Sequence, residues 1–194
     1  EGNNSAKRLV EFLKRTDITA KIDHYPSIAL GACEISLYEM MQSYSMFPGK
    51  GFNVKPMYIT RIEDRNGNVL ATFTPKRKEI ISEVTAYSVA KMMEGVMRAG
   101  TGRGMWSYVP DMAIAGKTGT AKMSFGNTGY TDKNLSSFVG FFPADDPLYS
   151  CIVVVGGPQG FFTTGGAVSA PIFRTMADKI ITSNIKTNTA INKD

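Results

Sequence analysis

The sequence is poor in the residues that build metal centres and disulfide frameworks. Its 194 residues include two cysteines, Cys33 and Cys151, and a single histidine, His24. Two cysteines do not make a disulfide framework, and one histidine without neighbouring acids or cysteines does not indicate a metal centre. We therefore expect no metal and no cofactor, an exposed or structural His24, and a small buried thiol at Cys151.

Long hydrophobic runs and a signal peptide are also missing, so these residues predict no membrane span. The charge is only moderately positive, with 22 Lys and Arg against 17 Asp and Glu, which gives a formal net charge of +5. This balance is a weak indication of anionic partners, and general solubility explains it better. No basic block alternates with aromatic residues, so we expect no binding to nucleic acid.

The residues that are present suit an ordinary globular core, since 43% of them are hydrophobic. Apolar residues at helical spacing predict helices over residues 5–15, 37–47, 83–99 and 167–181. Alternating and continuous apolar runs predict strands over residues 54–63, 69–73, 112–121, 136–142 and 149–155. Together they predict the α+β class, an antiparallel sheet packed with helices, followed by a polar tail over residues 182–194.

Several local signals place the ends of these elements. Ser36 and Glu39 form a capping box at the start of one helix, and Asn66-Gly67 is a hairpin turn signal. Residues 75–79 are expected to be a basic, exposed connector. Apolar residues predicted to be buried in the two longer helices are Val84, Tyr87, Met92, Met93, Val96, Ile172, Phe173, Met176, Ile180 and Ile181.

The most informative segment is Lys117-Thr118-Gly119-Thr120, inside the predicted strand 112–121. On an edge strand it would place an ammonium, two hydroxyls and an unobstructed backbone where an anionic peptide end can lie. That set of groups suits acyl transfer on a substrate that ends in a carboxylate. Taken alone, the tetrapeptide is explained equally well as a bulged strand with a solvated lysine.

Two segments near this strand have alternative interpretations. Residues 122–134 are rich in Gly, Ser, Thr and Asn, and they predict either a mobile loop beside the site or a plain hairpin connection. Phe161-Phe162 follows a Gly-Gly-Pro turn. We favour packing of this pair under the last helix over lining a groove.

An ordered set of motifs resembles the transpeptidase domain of penicillin-binding proteins, and it covers nearly the whole chain. The 117–120 segment matches the third signature of that family. The other stretches, in order, are residues 26–31, Ser36 to Met40, Tyr44-Ser45, Gly100-Thr101-Gly102, residues 137–143, Gly165-Gly166 and residues 170–173. The resemblance implies an incomplete domain of the β-lactamase and transpeptidase type, with residues 1–181 as its C-terminal part.

The resemblance also implies roles for the site residues. Lys117 would supply positive potential for the terminal carboxylate of a stem peptide ending in D-Ala-D-Ala and would bias proton transfer. Thr118 and Thr120 would donate their hydroxyls to that carboxylate, and Gly119 would let the acyl chain approach the strand. The backbone N–H of Thr120 would be one of two oxyanion donors. These roles imply peptidoglycan and β-lactams as ligands.

Two family motifs, Ser-x-x-Lys with the nucleophile and Ser-x-Asn, are not found at their expected places before Lys117. The pattern Ser88-Val89-Ala90-Lys91 lies inside a predicted helix and is expected to be a chance match. We therefore expect the nucleophile upstream of this chain, together with a segment that anchors an extracytoplasmic parent protein to the membrane. A fragment without that serine is expected to be inactive.

Three functions remain open at this stage. The first is a D,D-transpeptidase, of either the bifunctional or the monofunctional subclass. The second is a serine β-lactamase or D,D-carboxypeptidase with the same signature, which the length of residues 26–47 disfavours. The third is a non-catalytic sensor or scaffold module related to penicillin-binding proteins.

Overall fold

A computed structural model describes residues 2–31, 33–105, 113–124 and 129–191, with the side chains of residues 2, 3, 105 and 184–191 outside the description. The chain divides into two compact units, Glu1–Tyr87 and Ser88–Asp194, called unit 1 and unit 2 below. Helices occur together with antiparallel strands, which confirms the predicted α+β class. Among the described residues, no helix is both long enough and apolar enough to cross a lipid bilayer.

Unit 1 begins with α1 (Gly2–Arg15), and a short 3₁₀ helix (Pro26–Leu30) packs against it. The next helix is α2 (Leu37–Tyr44), which ends before the predicted residue 47. The small aliphatic core of this unit consists of Ala6, Val10, Ile18, Ile22 and Ile28.

The start of α2 confirms the predicted capping box. The Ser36 hydroxyl accepts a hydrogen bond from the Glu39 N–H at 3.2 Å, and the Glu39 carboxylate accepts one from the Ser36 N–H at 3.2 Å. Two of the N–H groups that the first turn leaves unpaired are thereby satisfied. The helix start is therefore determined by residues that are three positions apart.

Four short strands form two antiparallel pairs in unit 1. β1 (Phe52–Val54) pairs with β4 (Arg77–Glu79), and β2 (Arg61–Glu63) pairs with β3 (Val69–Thr72). The prediction of one strand over residues 54–63 was wrong, because Pro56 has no N–H to donate and lies where the pairing is interrupted.

Residues 75–79 are not a plain connector, because Arg77–Glu79 forms β4, although its residues are exposed as expected. The turn between β2 and β3 is confirmed. Gly67 has a φ of +84°, the left-handed conformation that glycine adopts without strain, and its N–H donates to the Asp64 carbonyl at 3.1 Å.

Ser82 directly precedes α3 (Glu83–Arg98), and its hydroxyl accepts a hydrogen bond from the Thr85 N–H at 3.2 Å, which caps the start of the helix. Met93 is buried as predicted. Burial was wrongly predicted at Val84, Tyr87 and Met92, which are 75%, 63% and 65% exposed. The helix carries more apolar residues than one face can hold, and its buried apolar positions are Ala86, Met93 and Met97.

Unit 2 contains a three-stranded antiparallel sheet in the order β5-β6-β7. Its strands are β5 (Ala115–Ser124), β6 (Tyr130–Phe142) and β7 (Tyr149–Gly156). The predicted start of the first strand at residue 112 lies outside the described residues. Both β5 and β6 extend into residues 122–134, so the hairpin alternative is correct there, and residues 125–128 lie outside the description.

α4 (Ser169–Ile191) packs on β6 and β7 and continues ten residues beyond the predicted end at residue 181. Phe173 is fully buried, and its ring meets the Phe138 ring edge-on at 4.7 Å between centroids. Burial was wrongly predicted at Ile172 and Met176, which are 43% and 40% exposed, because the inward face is set by Ala170, Phe173 and Ala177. The core of this unit is Met97, Ile114, Phe138, Phe142, Ala170, Phe173 and Ala177.

Candidate active site

One edge of β5 is open. The strand pairs with β6 along one side, and within the described residues no strand pairs with the other side. The Ala113 carbonyl accepts from the Ala144 N–H at 2.8 Å, just before β5 begins. Backbone groups alternate sides along a strand. Before the register shift at Lys122, the N–H and C=O of the odd-numbered residues of β5 therefore face β6, and those of Thr118 and Thr120 face the open edge.

Lys117 lies at this open edge with an exposed side chain. Its ammonium donates a hydrogen bond to the Thr118 carbonyl at 2.6 Å. The structure therefore places a positive charge directly at the outward-facing carbonyl group of Thr118. Lys117 is thus an exposed residue of an edge strand, and its role toward a substrate stays a prediction.

The two threonines of the 117–120 segment have different surroundings. Thr118 is 9% exposed, and its hydroxyl oxygen lies 2.6 Å from the hydroxyl oxygen of Thr101, in the turn after α3. Thr120 is exposed, and its hydroxyl accepts from the Gly165 N–H at 3.1 Å. Each hydroxyl is thus held by one identified neighbour, and the hydroxyl proton of Thr120 stays available for donation.

Gly119 and Gly165 are in close contact. A Cβ on Gly165 would lie 2.2 Å from the Ser137 carbonyl oxygen and 2.4 Å from that of Gly119, and a Cβ on Gly119 would lie 2.3 Å from the Ser137 hydroxyl. The segment before α4 therefore rests directly on the sheet. This contact accounts for glycine at position 165, because the clashing atoms are backbone oxygens, whereas a Cβ on Gly119 would meet only the Ser137 side chain, whose hydroxyl can rotate away.

The segment over residues 157–168, between β7 and α4, is attached to β6 by hydrogen bonds. The Asn134 amide donates to the Thr163 hydroxyl at 2.7 Å, and the Ser136 hydroxyl donates to the Thr163 carbonyl. Phe161 and Phe162 in this segment are 103% and 78% exposed. The preferred interpretation that they pack under α4 is therefore wrong, because the bonds at Thr163 hold the segment while both rings point to solvent.

Ser88 and Lys91 lie inside α3, as predicted, and not at a helix start. The Lys91 ammonium is 2.6 Å from the Glu94 carboxylate and 3.6 Å from that of Asp145. Its positive charge is therefore balanced by two carboxylates.

The two cysteines are free and partly buried, and burial raises the pKa of both thiols. His24 is exposed. Within the described ranges, no group of three or more His, Cys, Asp and Glu is arranged to hold a metal ion. Neither thiol has the lowered pKa of a nucleophilic cysteine.

The structure brings all four residues of the 117–120 segment to one strand and adds neighbours that sequence reasoning did not identify as site residues. These neighbours are Thr101, Ser137 and Gly165. The glycine pairs around residues 100–102 and 165–166 were the available signals, since a glycine beside an element end often marks close backbone approach.

A family model described as the penicillin binding protein transpeptidase domain matches residues 19–178. Stage V sporulation protein D of Bacillus subtilis is 38% identical over 96 residues, which cover 50% of this chain and 15% of that protein. Penicillin-binding protein 2a of Streptococcus pneumoniae is 32% identical over 171 residues, which cover 83% of this chain and 22% of that protein. This chain thus spans less than a quarter of the length of these relatives.

Among solved structures, penicillin binding protein 3 of Mycobacterium tuberculosis superposes with a TM-score of 0.77 at 22% identity, over 91% of this chain and 46% of that one. The transpeptidase domain of the FtsI4 D,D-transpeptidase of Legionella pneumophila gives a TM-score of 0.62 at 26% identity, over 91% of this chain and 60% of that one. These structures confirm the expected fold. With a family model that matches most of its length, this chain belongs to the penicillin-binding protein transpeptidase family.

Proposed function

We propose that this chain supplies the substrate-binding strand edge of a serine D,D-transpeptidase that cross-links peptidoglycan stem peptides and binds β-lactams. The observation that carries the proposal is the open edge of β5, with the Lys117 ammonium and the outward backbone groups of Thr118 and Thr120. A cation and several donors along one edge suit an extended peptide that ends in a carboxylate.

The names of similar proteins support this assignment. A relative from Buchnera aphidicola, 34% identical over 110 residues, is named a peptidoglycan D,D-transpeptidase. A structure of penicillin-binding protein A of Mycobacterium tuberculosis, similar in fold, is described as a ceftriaxone acyl-enzyme complex. Acylation by a β-lactam and by a stem peptide are the same chemical step on different amides.

In the proposed reaction, a serine hydroxyl attacks the carbonyl carbon of the bond between the two D-Ala residues. The proton passes to the leaving amine, the C–N bond breaks, and D-Ala departs from the acyl-enzyme. An amine of a second stem peptide then attacks the ester and returns the serine hydroxyl. We assign the Thr120 N–H as an oxyanion donor, because it faces the open edge. Removal of one such donor typically slows catalysis by about 10²–10³-fold.

The serine in this proposal belongs to a segment upstream of this chain and not to Ser88. Ser88 lies within α3, and the lysine of its Ser-x-x-Lys pattern is held by the carboxylates of Glu94 and Asp145. The parent protein is proposed to act outside the cytoplasm, held at the membrane by a further upstream segment, because its substrate is the cell wall.

The test is covalent labelling of the parent protein with benzylpenicillin, followed by mass spectrometry and peptide mapping. Opening of the β-lactam ring loses no atoms, so one adduct with the full mass of the drug is expected on an upstream serine. Lys117→Ala should slow acylation by about 10- to 100-fold, because one charge-assisted hydrogen bond to the carboxylate is lost. Lys122→Ala is the matched control, since this exposed lysine of the same strand bonds the Asp132 carbonyl.

Each other outcome has a defined meaning. An adduct on Ser88 would overturn the assignment of the nucleophile, and no adduct would favour the scaffold function. An adduct that water releases rapidly, without transfer to an amine, would favour the β-lactamase or carboxypeptidase. Equal acylation rates for Lys117→Ala and Lys122→Ala would remove the assigned role of Lys117.

A further inference from the structure

A pair of hydroxyls links the open edge of β5 to the turn after α3. The Thr101 and Thr118 hydroxyl oxygens are 2.6 Å apart, a short distance for two neutral hydroxyls. Thr118 is 9% exposed, whereas Thr101 is exposed. The buried hydroxyl of the 117–120 segment is therefore connected to solvent through a residue that lies 17 positions earlier in the chain.

The position of Thr101 is fixed by its backbone and not only by this contact. The Gly102 N–H donates to the Val96 carbonyl at 3.1 Å, and the Arg103 N–H donates to the Gly100 carbonyl at 3.2 Å, so the turn is bonded to the end of α3 and to itself. A Cβ on Gly166 would lie 2.3 Å from the Thr101 carbonyl oxygen. The segment before α4 thus packs directly against the Thr101 carbonyl group.

The direction of the hydrogen bond between the two hydroxyls decides whether Thr118 can donate to an anion. Each threonine hydroxyl carries one proton and can accept through its oxygen. If Thr118 gives its proton to Thr101, it presents only acceptor lone pairs to a ligand, and a carboxylate is repelled by them. If Thr101 gives its proton to Thr118, the Thr118 proton is free to bond an anion. Two hydroxyls that donate in the same direction also polarise each other, which strengthens the terminal bond.

We propose that Thr101 is a positioning residue that makes Thr118 a hydrogen-bond donor to the ligand carboxylate. The inference rests on the proposed function, because it concerns the same carboxylate. Thr101 acts through Thr118 and does not touch the ligand. Its hydroxyl donates to Thr118, accepts from water on its exposed side, and thereby sets the direction of the whole chain of hydrogen bonds.

The experiment measures second-order acylation rates of the parent protein with benzylpenicillin and with its methyl ester, which lacks the carboxylate charge. Thr101→Val removes the hydroxyl at nearly constant volume and should slow acylation by benzylpenicillin about three- to tenfold, the loss of one hydrogen bond. Thr101→Ser should restore most of the rate. With the methyl ester, Thr101→Val and the wild type should be acylated at nearly equal rates.

Three further variants separate positioning from general damage. Thr118→Val combined with Thr101→Val should be no slower than Thr118→Val alone, because Thr101 acts only through Thr118. Thr101→Ala repeats the measurement without the second methyl group of valine, and thermal unfolding of each variant checks that the turn still folds.

The outcomes distinguish this inference from the function on which it rests. If the wild-type parent protein is not acylated at all, the proposed function and this inference both fail. If the wild type is acylated but Thr101→Val and Thr101→Ala react at the wild-type rate, only the role of Thr101 is overturned. The role of Thr101 would likewise be rejected if Thr101→Val slowed acylation by the methyl ester as much as by benzylpenicillin, or if Thr101→Ser did not restore the rate. It would also be rejected if adding Thr101→Val to Thr118→Val slowed acylation further by the full factor seen for Thr101→Val alone.

Discussion

The two units of the chain bury different kinds of side chains at their centres. In unit 2 the buried cluster is apolar and aromatic, with Phe138, Phe142 and Phe173 at 1% exposure or less. In unit 1 the fully buried side chains include Thr16 and Asn53. The Asn53 amide donates to the Thr16 carbonyl at 2.9 Å, and the Thr16 hydroxyl is 2.8 Å from that of Ser43. Unit 2 also buries the hydrogen-bonded pair Ser136 and Ser169, so the difference between the two units lies in the aromatic cluster of unit 2.

The candidate site lies on the unit with the aromatic core. A Cβ on Gly116 would lie 2.3 Å from the Phe138 ring, so this ring packs directly against the residue before Lys117. Close-packed interiors transmit small displacements, because few voids are available to absorb them. The position of the open edge should therefore depend on the aromatic core of unit 2 more than on any surface contact.

The largest expected effect comes from removing the ring that underlies β5. Phe138→Ala should destabilise unit 2 by about 3–5 kcal/mol, because it loses buried area and leaves a cavity beside Phe173. This loss can be measured by denaturant unfolding, with hydrogen exchange of the β6 amides as the readout. The same change should slow penicillin acylation of the parent protein.

Phe161→Ala is the matched control, since Phe161 is a phenylalanine of the same unit that is 103% exposed. Its effect on the free energy of unfolding should stay within about 0.5 kcal/mol. Similar losses for the two variants would show that aromatic packing is not what stabilises unit 2.

A smaller effect is expected at the polar centre of unit 1. Asn53→Ala should destabilise that unit by about 1–3 kcal/mol, because the buried Thr16 carbonyl loses its donor. Hydrogen exchange of the α1 and α2 amides reports the change. Asn66→Ala, at an exposed turn position, should shift stability by less than about 0.5 kcal/mol, and a loss as large as that of Asn53→Ala would contradict the assigned network.

Local signals predicted the parts of both units that depend on neighbouring residues. The capping box of Ser36 and Glu39 involves residues three apart, and the Gly67 turn needs only one left-handed residue. A continuous apolar run predicted the strand that the structure shows as β7. In each of these cases the determining contacts lie within a few positions of the chain, where a pattern can indicate them.

Long-range contacts account for what could not be predicted. Thr101 and Thr118 are 17 residues apart, and Thr120 and Gly165 are 45 apart. The glycines near Thr101 and at 165–166 indicate close approach of the backbone, but no pattern identifies the residue that is approached. The helix α3 shows the same limit, because apolar Val84 looks as suitable for burial as Met93 until the neighbouring elements are known. The residue types of the site were therefore predictable, but the partners that orient their hydroxyls were not.

The smallest expected effect concerns Glu39 in unit 1. Its hydrogen bonds are exposed, in contrast to the buried aromatic contacts of unit 2. Its carboxylate accepts from the Thr19 N–H at 2.7 Å and from the Thr19 and Ser36 hydroxyls at 2.8 and 2.7 Å. These bonds, the Thr19 backbone bond first, lower the Glu39 pKa from 4.5 to about 2. Because the folded pKa lies below the unfolded value, the stabilisation is present above pH 4.5 and is lost as the pH falls toward 2.

The stability difference between the wild type and Glu39→Gln should therefore be constant above pH 4.5 and shrink steadily between pH 4.5 and about 2. Glu11→Gln, a change of an exposed carboxylate on α1, corrects for the general effect of removing one negative charge. Denaturant unfolding across this pH range gives both curves. A difference for Glu39 that stays flat, or that grows on acidification, would mean that its ionised form is not favoured by folding. The hydrogen bonds to Thr19 and Ser36 would then not stabilise the start of α2.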